Sequence, residues 1–181
     1  MRIIRGILKG KRFATPPNFP SRPTTDFAKE GLFNILENRV DIADMEILDL
    51  CSGTGNISFE FVSRGAKHVL AIDSHPRCVQ YLKGNIRELG IETLMQVYKS
   101  DCIVYCRNAQ NVQYDLIFTD PPFHLHFHEE LIQTIFEKKL LIPGGLVIVE
   151  HGKQTDLSSS PYFSFSRNFG NVYFSFLSDE T

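Results

Sequence analysis

The chain has 181 residues, of which 43% are hydrophobic and 22% charged, and its formal net charge is −2 at pH 7. These values are ordinary for a single globular domain that buries a core. No apolar run approaches the ~20 residues that cross a bilayer, and no apolar stretch follows the basic N-terminus as in a secretory signal. The four cysteines form no C-x-x-C pair and indicate reduced thiols, so a cytoplasmic protein without membrane contact is expected.

Charge is unevenly distributed along the chain. Residues 1–30 contain seven Lys or Arg against two acids, whereas the remainder contains twelve against nineteen. A basic segment on an acidic body indicates a local contact with a polyanion, or else a solvated tail. Alternating apolar and basic residues predict short strands that bend at Gly6 and Gly10, and the prolines that follow predict an extended linker. We therefore expect a small basic β extension over residues 1–24 and the main domain over residues 25–181.

Beyond this extension, helical and apolar patterns alternate. After a first helical segment, AKEGLFNILENRV, five apolar runs follow: MEILDLCSG, KHVLAIDS, LMQVYKSD, YDLIFTDPP and GLVIVE. Their alternation with helical segments predicts parallel strands, right-handed crossovers and helices on both faces. The final segment, YFSFSRNFGNVYFSFL, predicts an antiparallel hairpin at one edge. The predicted fold is α/β, with a mostly parallel seven-stranded sheet.

Four of the five runs end in, or are closely followed by, an aspartate: Asp49, Asp73, Asp101 and Asp120. In an open α/β sheet, ligands bind beyond the carboxyl ends of the strands, where the strand order reverses. One such aspartate would be unremarkable, because aspartate often caps a helix. Four at one edge predict a binding site.

The turn that follows Asp49 contains Gly53 and Gly55, which let the backbone approach a ligand closely. A dinucleotide fingerprint would need a third glycine at position 58, which is Ser58, and no phosphate loop follows. A carboxylate at Asp49 favours a cationic ligand group, such as a sulfonium or ammonium, over a phosphate. Cys51 is grouped with this site as a small packing residue and not as a nucleophile.

Two further aspartates complete the predicted ligand. Asp73 ends the second run, 18 residues beyond Gly55, and suits a bidentate hold on ribose hydroxyls. Asp101 and Cys102 are placed to contact an adenine amino group and ring. Adenosine with a cationic tail and no phosphate describes S-adenosyl-L-methionine, which is the predicted cofactor.

The fourth run ends in Asp120-Pro121-Pro122-Phe123. Two prolines predict a rigid corner, because proline fixes φ and removes a backbone donor. The Asp120 side chain and the corner carbonyls can accept hydrogen bonds from an amine, and Phe123 offers a stacking face worth ~1–3 kcal/mol. Pinning an exocyclic amine directs its lone pair at the methyl carbon. Orientation and electrostatics would then supply most of the acceleration of methyl transfer.

Three histidines, His124, His126 and His128, follow the corner. No acidic or cysteine partner stands at an obvious ligand spacing, and methyl transfer needs no metal, so no metal is expected. A lid, an RNA-facing segment and an exposed helix start all remain open for these residues.

Several motifs together resemble one family. Asp-Pro-Pro-Phe after a D-x-x-x-G-x-G turn resembles the signature of amino-directed methyltransferases that act on nucleic acids. R-P-T-T-D at residues 22–26, E-G-L-F-N-I-L at residues 30–36 and LDLCSGTGNISFEFVSRGA are more specific and resemble the RsmD family. The resemblance runs from Arg2 to about Phe176. It implies a Rossmann-like S-adenosylmethionine-dependent methyltransferase fold and methylation of guanine N2 in 16S ribosomal RNA.

The same resemblance implies that the basic extension and the R-P-T-T-D motif contact the RNA backbone and help form the base pocket. The guanine must leave its stack to reach Phe123. The family usually has a basic residue where this chain has Phe27, so one phosphate contact is in doubt. The expected partner is 16S rRNA, naked or within a small-subunit assembly intermediate, and the expected enzyme is a monomer. The implied RNA-binding residues are Arg2, Arg5, Lys9, Lys11, Arg12, Arg22, Thr24 and Thr25.

Three other functions are compatible with parts of this pattern. A DNA adenine-N6 methyltransferase uses a related corner, but 181 residues leave no room for a target-recognition domain. A catalytically silent RNA-binding assembly factor would not need an intact Asp120–Phe123 corner. A protein glutamine methyltransferase usually begins the corner with asparagine.

Overall fold

The computed structural model of the chain describes residues 1–122 and 127–179. Its helices are α1 (Asp26–Glu37), α2 (Asn56–Ser63), α3 (Pro76–Leu89), α4 (Cys102–Asn108) and α5 (His128–Glu137). Its strands are β1 (Glu46–Leu50), β2 (His68–Asp73), β3 (Met95–Lys99), β4 (Tyr114–Thr119), β5 (Leu141–His151), β6 (Phe163–Phe169) and β7 (Val172–Leu177). The helices and strands predicted after residue 25 are therefore confirmed.

The described strands form one sheet in the order β3-β2-β1-β4-β5-β7-β6. The first five strands are parallel, and β7 is antiparallel to both β5 and β6. The mostly parallel sheet and the C-terminal hairpin are thus confirmed. The strand order reverses between β1 and β4, where Leu50 is in register with Thr119. This register places Cys51 beside Asp120, at the point where α/β sheets bind ligands.

Helices cover both faces of the sheet. One buried cluster packs α1, α2 and α3 against the sheet and contains Phe33, Phe61 and Leu82. A second cluster packs α4 and α5 against the opposite face and contains Cys106 and Leu131. Parallel strands buried in this way require continuous apolar runs, which the sequence supplies. In the described parts of the chain, no helix is both long and apolar enough to cross a membrane.

The basic N-terminal segment is a turn closed by one antiparallel bridge between Arg2 and Arg12. The β extension is therefore shorter than the strands that the alternation predicts. Some of its backbone amides bond to α2 instead of a partner strand, because Ile4 and Arg5 both donate to the Glu60 carboxylate, at 2.9 and 3.0 Å. Gly6 has φ +86°, and a Cβ there would lie 1.6 Å from the Ser63 carbonyl oxygen, so no other residue fits. The domain boundary at residue 24 stays a prediction.

Candidate active site

The turn after β1 has left-handed backbone at three positions. Cys51, Gly53 and Gly55 have φ of 61°, 53° and 72°, which reverse the chain and start α2. A Cβ on Gly53 would lie 2.3 Å from Ser21 Oγ, and one on Gly55 would lie 2.4 Å from Leu82 Cδ2. Left-handed backbone and these close neighbours together make a larger residue strained at both positions. Left-handed backbone at Cys51 costs roughly 1–2 kcal/mol, and such strain is characteristic of functional turns.

Asp49 is a buried carboxylate with spare hydrogen-bonding capacity. It is 1% exposed, and its Oδ2 accepts a hydrogen bond from the Ser58 hydroxyl. Its Oδ1 has no hydrogen-bond partner among the residues that the structure describes. Burial, together with the Asp120 and Asp73 carboxylates, raises the pKa of Asp49 to about 7. Ser58 stands where a dinucleotide-binding motif would have its third glycine, and its hydroxyl holds the Asp49 carboxylate in place.

Asp73 connects the end of β2 to the turn after β1. Its Oδ2 accepts from the Gly53 amide at 2.7 Å, and its Oδ1 accepts from the His75 amide at 2.8 Å. Each carboxylate oxygen can accept a further bond, so the predicted hold on ribose hydroxyls is compatible with these contacts.

The predicted adenine residues lie beside the same turn. The Cys51 and Cys102 thiols are neighbours, just after β1 and at the start of α4. The neighbouring Cys102 thiol and burial raise the pKa of the Cys51 thiol well above its ordinary value, so Cys51 is suited to packing and not to nucleophilic attack. Asp101 is exposed and caps α4, because its Oδ1 accepts from the Val104 amide at 3.0 Å. Its contact with adenine stays a prediction.

Asp120 begins the corner after β4. Its amide donates to the Leu50 carbonyl oxygen at 3.3 Å, and desolvation raises the pKa of its carboxyl to about 7. Pro121 is buried and Pro122 is exposed. Phe123, His124 and His126 lie outside the described residues, whereas His128 is the first residue of α5.

One cavity brings residues from three predicted motifs together. Asp49 and Cys51 come from the β1 turn, Asp120 from the β4 corner, and Arg22 and Thr24 from the R-P-T-T-D motif. The cofactor, target-base and RNA predictions therefore meet at a single place in the fold.

Glu150, at the end of β5, was missed by the sequence analysis. It is 4% exposed, and its Oε2 accepts a hydrogen bond from the Thr24 hydroxyl at 2.8 Å. Burial and the nearby Asp120 and Asp49 carboxylates raise its pKa well above the ordinary range. Glu150 ends the fifth apolar run, so the signal that selected the other four acids would also have found it.

Asn56, the first residue of α2, is a second missed member of the site. Its Nδ2 donates to the Thr24 carbonyl oxygen at 2.7 Å, and its Oδ1 accepts from Lys29 Nζ at 2.8 Å. Thr24 is therefore fixed through both its hydroxyl and its carbonyl group. No pattern in the sequence indicates these partners.

The remaining residues implied to bind RNA lie mostly at the surface. Arg2 pairs with Asp26 at 3.4 Å, and Arg5 pairs with Glu37. Thr25 caps α1 by accepting from the Ala28 amide at 3.2 Å. These contacts orient the segment, and RNA binding by its residues stays a prediction. The exposed basic residues are Arg2, Arg5, Lys9, Lys11, Arg12 and Arg22.

Comparison with known proteins gives the family and the fold. The family model described as Conserved hypothetical protein 95 matches residues 1–177. Ribosomal RNA small subunit methyltransferase D from Haemophilus influenzae is 32% identical over 159 residues, which cover 87% of this chain and 81% of that protein. The solved structure of yhhF from Escherichia coli has a TM-score of 0.83 at 27% identity and covers 97% of this chain and 96% of its own.

A SAM dependent methyltransferase from Aquifex aeolicus is a more distant structural match. Its TM-score is 0.59 at 19% identity, with 83% of this chain and 89% of that chain covered. At this identity the likeness shows the fold alone, and it confirms the predicted methyltransferase fold class. Because the family model spans almost all of the sequence, the chain belongs to the Conserved hypothetical protein 95 family, the RsmD family.

Proposed function

We propose that this protein transfers a methyl group from S-adenosyl-L-methionine to the exocyclic N2 amine of a guanine in 16S ribosomal RNA. The observation that carries the proposal is the shared cavity of Asp120, Asp49 and the R-P-T-T-D residues. The cavity lies at the β1–β4 switch point, where α/β sheets bind their ligands. The name of the Haemophilus influenzae relative supports small-subunit rRNA as the substrate.

The residues at the β1 turn fit this cofactor. Asp49 Oδ1 is buried, and it has no hydrogen-bond partner in the described part of the chain, so it can receive a cationic group. Asp73 would hold the ribose, and Asp101 with Cys102 would hold adenine. When bound, the cofactor supplies a methyl group attached to positively charged sulfur, which is a good leaving group.

Asp120 acts on the target base. Its carboxylate accepts an N–H bond from the guanine amine, which orients the nitrogen lone pair toward the methyl carbon. This orientation, set up before reaction in a partly desolvated cavity, lowers the barrier without a strong base. Asp120 can also take the proton that the nitrogen loses after it gains a fourth substituent. The raised pKa makes the carboxylate a better proton acceptor than an exposed aspartate.

The R-P-T-T-D segment forms the wall between the cofactor turn and solvent. Thr24 is fixed by Glu150 and Asn56, so the neighbouring Arg22, which lines the cavity and is exposed, starts from a defined backbone position. Arg22 and the exposed basic residues of the N-terminal segment would hold the RNA backbone through phosphate contacts. The guanine would approach Asp120 at the edge of this small cavity after leaving its stack.

Methyl transfer can be tested directly with a labelled methyl donor. We expect the protein to label 16S rRNA, presented either naked or in small subunits from cells that lack this gene, and the labelled nucleoside to be N2-methylguanosine. Duplex DNA is the matched control substrate and should remain unlabelled. Label in adenine of DNA would instead support the DNA methyltransferase alternative. No label in any substrate, despite cofactor binding, would support the silent assembly factor.

The rate should depend on pH because an ionised Asp120 accepts the N–H bond more strongly than a protonated one and can also take the proton. Its pKa is raised to about 7, so kcat/KM, which reports groups of the free enzyme, is expected to rise as pH increases through 7.

The stability of the unliganded protein should change with pH in the opposite direction to the rate. A carboxyl whose pKa is raised on folding stabilises the protein below its unfolded pKa, and this contribution is lost as pH rises toward 7. Initial rates from pH 6 to 9 and thermal melts from pH 4 to 8 test the two trends, and flat profiles over these ranges would contradict the assignment.

A further inference from the structure

An aromatic stripe runs along the outside of α1 and the edge strand β6. Phe27 is 66% exposed, and its ring meets Phe169 edge-on with centroids 5.8 Å apart. The guanidinium carbons of Arg39 and Arg167 lie 4.1 and 5.3 Å from the centroid of the Phe165 ring. We use the name aromatic stripe for these five residues. Aromatic rings and arginines therefore alternate along one surface.

The backbone explains why this surface exists. Phe165, Arg167 and Phe169 are two residues apart on β6 and so lie on one face of the strand. Gly31 of α1 makes room for Phe169, because a Cβ there would lie 2.1 Å from the Phe169 ring. Phe169 packs onto the helix, whereas Phe27 stays in solvent. Burial in the hydrophobic core therefore does not account for an aromatic side chain at position 27.

The position of the stripe relative to the cavity indicates its partner. Phe27 stands three residues after Thr24, which lines the cavity, and two after Thr25, which caps α1. A strand of nucleic acid whose base occupied the cavity would pass close to Phe27. The exposed Glu30 lies almost one turn along α1, and the two arginines outweigh its charge.

We infer that the aromatic stripe binds single-stranded RNA next to the target guanine, with one base stacked on Phe27 and phosphates contacted by Arg39 and Arg167. The inference rests on the proposed function and adds a second contact site for the same substrate. Base stacking on an exposed ring combined with nearby arginines is the usual basis of single-strand binding.

The test measures RNA binding separately from methyl transfer. A fluorescein-labelled single-stranded RNA of roughly 12 nucleotides, within the usual site sizes, is titrated against the parent protein and three variants. Phe27→Ala is expected to raise Kd about tenfold, which is toward the lower end of a stacking contribution, and to leave the salt dependence unchanged. Arg167→Ala should reduce the slope of log Kd against log salt by about 0.7, as expected for one phosphate contact on a single strand.

Tyr98→Ala is the matched control. Tyr98 is 60% exposed and lies on β3, the opposite edge strand of the sheet, so its removal should leave Kd unchanged. Parent-like binding by Phe27→Ala, or an equal loss in Tyr98→Ala, would overturn the inference. If Phe27→Ala weakened binding to small subunits but not to the RNA, a protein partner would replace RNA. If Phe27 contributed to RNA binding while no guanine was methylated, the proposed function would fail and the inference would stand.

Discussion

Replacing Asp120 with alanine is expected to remove methyl transfer to rRNA while leaving the protein folded. Loss of one preorganised electrostatic contact to a reacting group commonly lowers kcat by about 10²- to 10³-fold. Cofactor affinity should change far less, because Asp49 and Asp73 remain in place. The desolvated carboxyl has a pKa of about 7, so ionising it at pH 8 works against folding. Asp120→Ala should therefore be at least as stable as the parent at that pH.

The matched control is Asp115→Ala, at the opposite end of β4. Asp115 Oδ2 accepts a hydrogen bond from the Glu46 amide at 2.8 Å, far from the cavity. This variant should keep its rate and lose a little stability, which is the reverse of the Asp120 result. The measurements are kcat on rRNA, cofactor binding by calorimetry and a melting curve at pH 8. Parent-like turnover by Asp120→Ala would show that the corner acts through its backbone carbonyls or not at all.

The parallel sheet could be predicted because its signal is local and repeated. The runs of β1, β2 and β4 are mostly buried, the edge strand β3 is largely exposed, and the run lengths match β1 to β4 closely. The hairpin could also be predicted, because Gly170 lies between two alternating aromatic runs. In the structure Gly170 has φ +63°, a conformation that suits glycine in a turn. Here local propensity and tertiary structure agree, as expected for natural sequences.

The N-terminal segment shows where alternation misleads. Its apolar and basic residues alternate as in strands, yet the structure has one bridge between Arg2 and Arg12. Side chains of α2 bind the backbone amides that strand pairing would use: Glu60 accepts from Ile4 and Arg5, and Ser63 Oγ accepts from Leu8 at 2.9 Å. These partners are more than fifty residues away, so the sequence pattern near residue 5 does not reveal them.

The site was predictable to the extent that strand ends define it. Parallel strands deliver their carboxyl ends to one edge, which is why Asp49, Asp73 and Asp120 could be grouped from the sequence alone. Asp101 shows the limit of this rule, since its side chain caps α4 and a cap and a ligand contact have the same sequence signal. The Thr24–Glu150 bond joins residues 126 positions apart, so only the family resemblance, and no local pattern, pointed from the sequence to R-P-T-T-D as part of the pocket.

A buried ion pair connects the cavity to the N-terminal segment. Lys29 is 0% exposed, and its Nζ donates to the Arg2 carbonyl oxygen at 2.6 Å and to Asn56 Oδ1 at 2.8 Å. It lies 3.3 Å from Glu60 Oε2. Burial lowers the pKa of Lys29 although the Glu60 carboxylate opposes the shift. Asn56 in turn holds Thr24. The Lys29 ammonium group therefore supports both the N-terminal segment and the R-P-T-T-D residues that line the cavity.

Replacing Lys29 with methionine is therefore expected to lower the free energy of unfolding by about 3–5 kcal/mol, the usual cost of breaking a buried pair. Glu60 would stay buried with its charge less well balanced, although Arg64 still donates to Glu60 Oε1 at 2.9 Å. Chemical denaturation at pH 7 measures the change. Lys67→Met is the matched control, because Lys67 is 63% exposed and pairs with Glu46 at 3.0 Å, and exposed pairs contribute little.

A second substitution separates loss of the pair from loss of packing. Adding Glu60→Gln to Lys29→Met removes the uncompensated charge and keeps one side-chain oxygen, which can accept from either the Ile4 or the Arg5 amide, because these amides bond to different oxygens of the Glu60 carboxylate. The double variant should therefore recover part of the lost stability, which a simple cavity would not allow. Because Lys29 also holds Asn56, the single variant should bind rRNA less tightly at temperatures where it is still folded. Unchanged stability in Lys29→Met would mean that the N-terminal segment and the R-P-T-T-D residues are held in place independently of the Lys29–Glu60 ion pair.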